Sequence, residues 1–203
     1  MRRYCTLLTD FGEVDPYVAC MKGVLVSKAS GVQLIDLSHQ INPQDVFRGS
    51  LFWADALPWF PAGTVHLGVV DPGVGTARRV CVAEGEGHIL VCPDNGLLSH
   101  WWHQTEQPRA FEVTRNDLFL SDVSSTFHGR DIFSPVAAAL VMGLVRPEDC
   151  GPEIAPVLLD PPVCELEGEV VKGSVLLADH FGNCIMNIPG ETFKPGEILL
   201  LNE

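Results

Sequence analysis

Three short apolar runs, Tyr4–Thr9, Val32–Leu37 and Thr64–Val70, each read as a buried strand, and the stretches between them carry helical signals. Asp15-Pro16 offers an N-cap followed by proline at the first helical position, opening a helix to about Ala29. Pro43–Trp59 carries an amphipathic helix with Val46, Leu51, Trp53 and Leu57 among its apolar positions. Strands that alternate with helices imply an α/β fold: a mostly parallel sheet flanked by helices on both faces.

Further along, Arg79–Glu84 and His88–Cys92 read as a hairpin turning at Gly85–Gly87. Asp94–Gln104 reads as a short helix, Ala110–Val113 as a strand and Asp131–Val145 as a helix with an Ala-rich face. The composition then shifts: five prolines fall between Pro147 and Pro162. The expected organisation is an α/β domain over 1–146, a proline-rich linker over 147–164 and a small antiparallel β domain over 165–203. Glu169–Ala178 and Glu197–Leu201 supply strands of that last part.

A net charge of −13 argues against nucleic acid, because a phosphate backbone needs a basic surface. Seven cysteines, an odd number without a CxxC pair, point to a reducing cytoplasm and away from a zinc site. Arg2 and Arg3 are followed by Asp10 too soon for a signal-peptide core, and no apolar stretch approaches the roughly 20 residues that span a bilayer. The expectation is a soluble, cytoplasmic protein.

Chemistry concentrates in a few loops. In Val69–Arg79, read VVDPGVGTARR, a strand runs into a Gly/Pro turn carrying Asp71 and Arg78. Glycines there let the backbone hold a fixed acid close to a fixed base, at a strand end where α/β proteins place their sites. Asp10 ends the first strand and is read either as an acceptor for a ligand's vicinal hydroxyls or as a cap of the next turn. His128, beside Gly129, Arg130 and Asp131, reads as a poised proton acceptor. Asp94 or Asn95 reads first as an N-cap. Asp179-His180-Phe181-Gly182-Asn183 combines an acid, an aromatic face and an amide, or is a simple β-turn. His100, His103 and His180 raise a metal site, but they form no HxH or HxxxH pair, so no metal is expected.

TLLTDFG, DPYVACMKGV, INPQDV, VVDPGVGTARR, CPDNGLL, FHGRDIFSP and DHFGN follow one another from Thr6 to Asn183. This set resembles the S-adenosyl-L-methionine hydroxide adenosyltransferases, relatives of the adenosyl-fluoride and adenosyl-chloride synthases. The resemblance implies an α/β domain joined by a linker to a small C-terminal β-barrel. It also implies homotrimers that bind substrate between neighbouring subunits. The implied reaction is attack of water on the ribose 5′ carbon of S-adenosylmethionine, giving adenosine and L-methionine without metal or redox cofactor. By resemblance Asp71, Arg78 and His128 activate the water, with Asp71 or His128 taking the proton. Asp10 matches the ribose-diol carboxylate, while Asp179 and Asn183 hold the methionine part with Phe181 as a wall.

The halide-using relatives replace Asp71 with an uncharged residue and His128 with an aromatic one, so both residues here favour water over halide. The family continues beyond the position of Glu203 with an Asn-Ser-x-Gly segment that contacts adenine, so an incomplete barrel is expected. The competing readings are a non-catalytic nucleoside-binding or assembly module, a metal-dependent hydrolase using Asp10, Asp94 and the histidines, and a halogenase.

Overall fold

The computed structural model describes residues 3–192 apart from 169. The chain divides into two compact units, Met1–Leu159 and Asp160–Glu203. In the first, β1 (Arg3–Thr9), β2 (Val32–Ser38), β3 (Val65–Val69), β4 (Val80–Gly85), β5 (His88–Pro93) and β6 (Arg109–Glu112) form one six-stranded sheet. The strand order is β2-β1-β3-β5-β4-β6. The pairings from β2 to β5 are parallel, whereas β4 runs antiparallel to both β5 and β6. The change of direction follows from the short Glu86-Gly87 turn, which has room for a hairpin and none for a crossover helix.

Helices cover both faces. α1 (Tyr17–Lys28) packs on α4 (Ser134–Val141), and α2 (Val46–Ala56) packs on α3 (Ser99–Gln104). Alternation along β1 sends Leu7 into the layer shared with Leu25, Leu67 and Phe133, and Leu8 into the layer shared with Trp53, Leu90 and Trp101. Each such side chain, fully buried, contributes about 1.5–3 kcal/mol. Gly68 in β3 is a packing requirement: a Cβ there would collide with the Trp53 ring.

Several expected boundaries move for tertiary reasons. α1 begins at Tyr17 with Pro16, not Asp15, in the cap position and no side-chain cap. α3 begins only at Ser99, because Asp94 and Asn95 are committed elsewhere. The expected helix from Asp131 is a five-residue π-type turn, Gly129–Phe133, continuing into α4. The stretch 147–159 runs along the first unit, where Ile154 N–H donates to Ala110 O and Val157 N–H to Asp94.

In the second unit, β7 (Glu165–Glu167) pairs with β8 (Val170–Lys172), and β9 (Val175–Ala178) pairs with β10 (Cys184–Met186), both antiparallel. The single strand expected over Glu169–Ala178 is thus two, divided at Gly173, where a Cβ would strike Ile188. The strand expected over Glu197–Leu201 lies outside the described residues. Among the described residues no helix is long and apolar enough to cross a membrane.

Candidate active site

Asp71 stands just past the end of β3, where the chain turns through Asp71–Thr76. Gly75 sits at φ +77° and its backbone lies against the next polar loop, so an added Cβ would come within 2.5 Å of Ser125 O. That contact brings the Asp71–Arg79 loop beside the loop leading to His128, which supplies the second half of the site.

Arg78 grips Asp71 with a fork: its Nε donates to both carboxylate oxygens at 2.9 Å, and its Nη2 donates to Oδ2. Both side chains are nearly buried, 10% and 4% exposed, so water screens the pair little. The guanidinium lies over the Phe133 ring, 5.1 Å from its centroid, which fixes its plane. The same Nη2 donates to His128 Nδ1 at 3.0 Å. A guanidinium is always a donor, so Nδ1 is the acceptor and the neutral ring carries its proton on Nε2. Burial first, and the Arg78 charge second, hold the His128 pKa below the ordinary imidazole value, against a smaller opposing pull from Asp71 and Asp131.

His128 is aimed by the wide turn that follows it. Ser134 N–H and Oγ both donate to Gly129 O, an i to i+5 closure. Gly129 lies close against Met21 and Phe11, leaving a Cβ little room. Turns of this type recur at functional sites because they redirect one side chain without ending the helix.

The chain neighbours of His128 suggested Arg130 and Asp131 as its partners, whereas the resemblance grouped it with Asp71 and Arg78; in the structure its hydrogen-bond partner is Arg78. Asp131 is fully buried and accepts from Arg130 Nε and Nη2 and from Ser124 N–H. That pair braces the loop, while the cation on His128 is Arg78. Asp94 and Asn95 are not helix caps either. Asp94 takes Arg79 Nε at 2.7 Å and Val157 N–H at 2.7 Å, and Asn95 Nδ2 donates to Val70 O at 2.8 Å. Asn95 thereby ties this segment to the end of β3, one residue before Asp71.

Asp10 lies at the end of β1, and its Oδ2 accepts the Gln44 N–H at 2.8 Å. The Asn42–Asp45 segment is a β-turn closed by Asp45 N–H on Asn42 O, with Gln44 at φ +67°. A non-glycine residue rarely adopts that backbone. Gln44 lies within the INPQDV motif, but the sequence assigned it no role. A cavity of about 320 Å³ opens between the Asp10 and His128 loops, lined by Phe11, Tyr17, Ser124, Thr126, Phe127 and Arg130. Phe11, Tyr17 and Phe127 meet edge to face, with centroids 5.2–6.3 Å apart.

In the second unit, Asp179 Oδ1 accepts Phe181 N–H and Asn183 N–H, and Oδ2 accepts Asn183 Nδ2. These bonds hold the carboxyl below its ordinary pKa, the Asn183 side chain contributing most. Asp179 therefore organises its own turn and presents Phe181, 87% exposed, at the tip. Of the other histidines, His100 is bonded to Ser50 and packed on Phe47, and His180 sits edge-on to Phe181. Among the described residues no group of three His, Cys, Asp or Glu side chains is placed to hold a metal.

Residues 5–151 match the family described as SAM hydroxide adenosyltransferase N-terminal domain. An (R)-S-adenosyl-L-methionine hydrolase of Salinispora tropica is 44% identical over 197 residues, covering 95% of this chain and 74% of the relative. The enzyme of that name from Thermus thermophilus is also 44% identical, over 89% of this chain and 72% of its own length. A fluorinase of an Actinoplanes species is more distant, at 28% identity over 89% of this chain and 70% of its own. The crystal structure of an uncharacterized conserved protein from Thermotoga maritima superposes with a TM-score of 0.87 at 36% identity, covering 93% of this chain and 73% of that one. This chain belongs to the SAM hydroxide adenosyltransferase family.

Proposed function

We propose that this protein hydrolyses S-adenosyl-L-methionine to adenosine and L-methionine. The observation that carries the reading is the Asp71–Arg78–His128 cluster, a carboxylate, a guanidinium and a neutral imidazole joined by hydrogen bonds beside the Asp10 loop. The (R)-S-adenosyl-L-methionine hydrolases at 44% identity support the same substrate.

The oxygen of a water molecule attacks the ribose C5′, the C5′–S bond breaks, and its electron pair returns to sulfur as a neutral thioether. The sulfonium is already a good leaving group, so the enzyme's task is to orient and desolvate a weak nucleophile in line with it. His128 Nε2–H donates to the water oxygen and holds it. Asp71 accepts the released proton through a lone pair that the Arg78 fork leaves open. Arg78 keeps Asp71 in place and limits the negative charge that builds there. A halide in the same place would face the Asp71 carboxylate and be repelled, which separates this site from that of the fluorinase relatives.

Asp10 accepts the ribose diol, as its position at the end of the first strand suits. Asp179, Phe181 and Asn183 take the methionine part. The reaction needs no metal or redox cofactor, since the leaving group requires no Lewis acid. We place the working enzyme in the cytoplasm as a homotrimer, with each site shared between neighbouring subunits.

Turnover in ¹⁸O-labelled water tests the reading. Adenosine and methionine should appear in equal amounts, with one label at the adenosine 5′ oxygen. Unlabelled adenosine, or product at no more than the rate of a His128→Ala variant, would overturn it.

A further inference from the structure

Asp10 is fastened from a direction that neither the motif set nor the family match identifies. Thr9, the last residue of β1, is fully buried and its Oγ1 lies 2.8 Å from His39 Nδ1. The same Oγ1 accepts Phe11 N–H at 3.3 Å. His39 also acts through its backbone: its carbonyl accepts Gly12 N–H at 2.8 Å. One residue therefore grips the chain on both sides of Asp10, by ring at Thr9 and by carbonyl at Gly12. The side chain is 3% exposed, and its Nε2 lies 3.0 Å from Asp36 Oδ1, within ion-pair distance but without hydrogen-bond alignment. Asp36 Oδ2 is held in turn by Lys22 Nζ at 2.5 Å.

The proton positions follow from the partners. The Asp36 carboxylate can only accept, so the neutral ring keeps its proton on the Nε2 that faces it, and Nδ1 accepts the Thr9 hydroxyl hydrogen. The buried Thr9 hydroxyl and the buried His39 Nδ1 satisfy one another here, while Nε2 is left with its charge contact to Asp36 alone. Five residues beyond His39 the chain presents Gln44 N–H to Asp10 Oδ2 at 2.8 Å. The segment that anchors the Asp10 backbone thus leads directly into the one that orients its carboxylate.

We propose that His39 is a positioning residue for substrate binding, which through Thr9 and Gly12 sets the direction of the Asp10 carboxylate toward the ribose. The proposal rests on the reading of Asp10 as the ribose acceptor. His39 touches no reacting atom, so its loss acts on substrate affinity and spares the chemical step.

The test uses the full chain and four substitutions. Thr9→Val keeps the shape of the threonine and removes the hydroxyl. His39→Leu removes the ring partner, and His39→Asn returns an amide oxygen near the former Nδ1 position. Asp10→Asn is the control on the underlying reading. The KM for S-adenosylmethionine should rise about tenfold in Thr9→Val and His39→Leu, with kcat within about threefold of wild type. His39→Asn should recover most of the loss, which a role limited to core packing would not produce.

A crystal structure of Thr9→Val provides a readout independent of turnover: the 2.8 Å contact between Asp10 Oδ2 and Gln44 N should be broken. An intact contact, or an unchanged KM in Thr9→Val while Asp10→Asn binds poorly, overturns the role of His39. An Asp10→Asn variant with wild-type KM overturns the reading of Asp10 instead. If His39→Leu does not fold, Thr9→Val decides on both readouts.

Discussion

Arg78 Nη2 lies 3.0 Å from His128 Nδ1, fifty residues along the chain, while the same Nη2 and the Nε bond Asp71. This one contact fixes the histidine tautomer and couples the two loops of the site. It also distributes the work: the imidazole presents an N–H to the nucleophile, and the carboxylate is left to take its proton.

The fork depends on guanidinium geometry, so a change that keeps the charge isolates it. Arg78→Lys is expected to lower kcat by about 10²-fold or more, because an ammonium cannot bond Asp71 and His128 in one plane. The melting temperature should change by only a few degrees, since the buried carboxylate keeps a cation. Steady-state kinetics and a thermal melt on the same sample decide it, and kcat near wild type would show that the fork is dispensable.

The depressed pKa of His128 has a definite sign. The ring stays neutral as pH falls past the ordinary imidazole value of 6.5, so its NMR titration should have a midpoint below that value. Substituting Arg78 by Gln removes a charge that opposes protonation, and the midpoint should move up. The same depression means that the unfolded chain takes up this proton first, so the group lowers stability as pH drops below 6.5. A midpoint above 6.5 in the wild type would contradict the arrangement.

Asp94 offers the opposite case, a buried carboxylate of structural use. It is 1% exposed at the side chain, and it joins Arg79 and Val157 N–H. Asp94→Asn should cost about 2–4 kcal/mol in urea unfolding, through the Arg79 charge left without its partner. Turnover per folded molecule should stay within about threefold of wild type, as expected for a change outside the cluster. A large loss of kcat without loss of stability would assign Asp94 to the chemistry.

A buried chain in the sheet gives the fold an acid-sensitive element. Thr6 Oγ1 meets His66 Nδ1 at 2.8 Å, and His66 Nε2 meets His88 Nδ1 at 3.0 Å. Burial first, and the neighbouring His88 second, push the His66 pKa down to about 3. The folded ring resists protonation while the unfolded one protonates near 6.5. Stability is therefore lost as pH falls from about 6.5 toward 3, by on the order of 4 kcal/mol for this group. Urea titrations at pH 7 and pH 4 should show the loss, and His66→Gln should flatten it. An equal slope in the variant would place the acid sensitivity elsewhere.

Much of this was legible in the sequence. Asp71 and Arg78 stand seven residues apart on one loop, so their meeting is a local matter. The residues next to His128 in the chain pointed to Arg130 and Asp131, which pair with each other; the grouping with Asp71 and Arg78 came from the resemblance and not from the local pattern. Gln44 carried almost no signal: nothing in its chemistry marks a residue whose backbone N–H is what matters. Thr9 and His39 are thirty residues apart, and each reads alone as an ordinary polar position.

The sequence by itself determined the run of strands and helices, since apolar periodicity and Pro/Gly punctuation act over a few residues. It also placed the acids at strand ends. Only the tertiary structure decided the pairings between separate segments, such as Arg79 with Asp94. Arg78 and Arg79 are adjacent, yet one serves Asp71 at the site and the other serves Asp94 in the scaffold. Successive side chains leave an extended backbone on opposite sides, so a step of one residue sends equal charges to different partners.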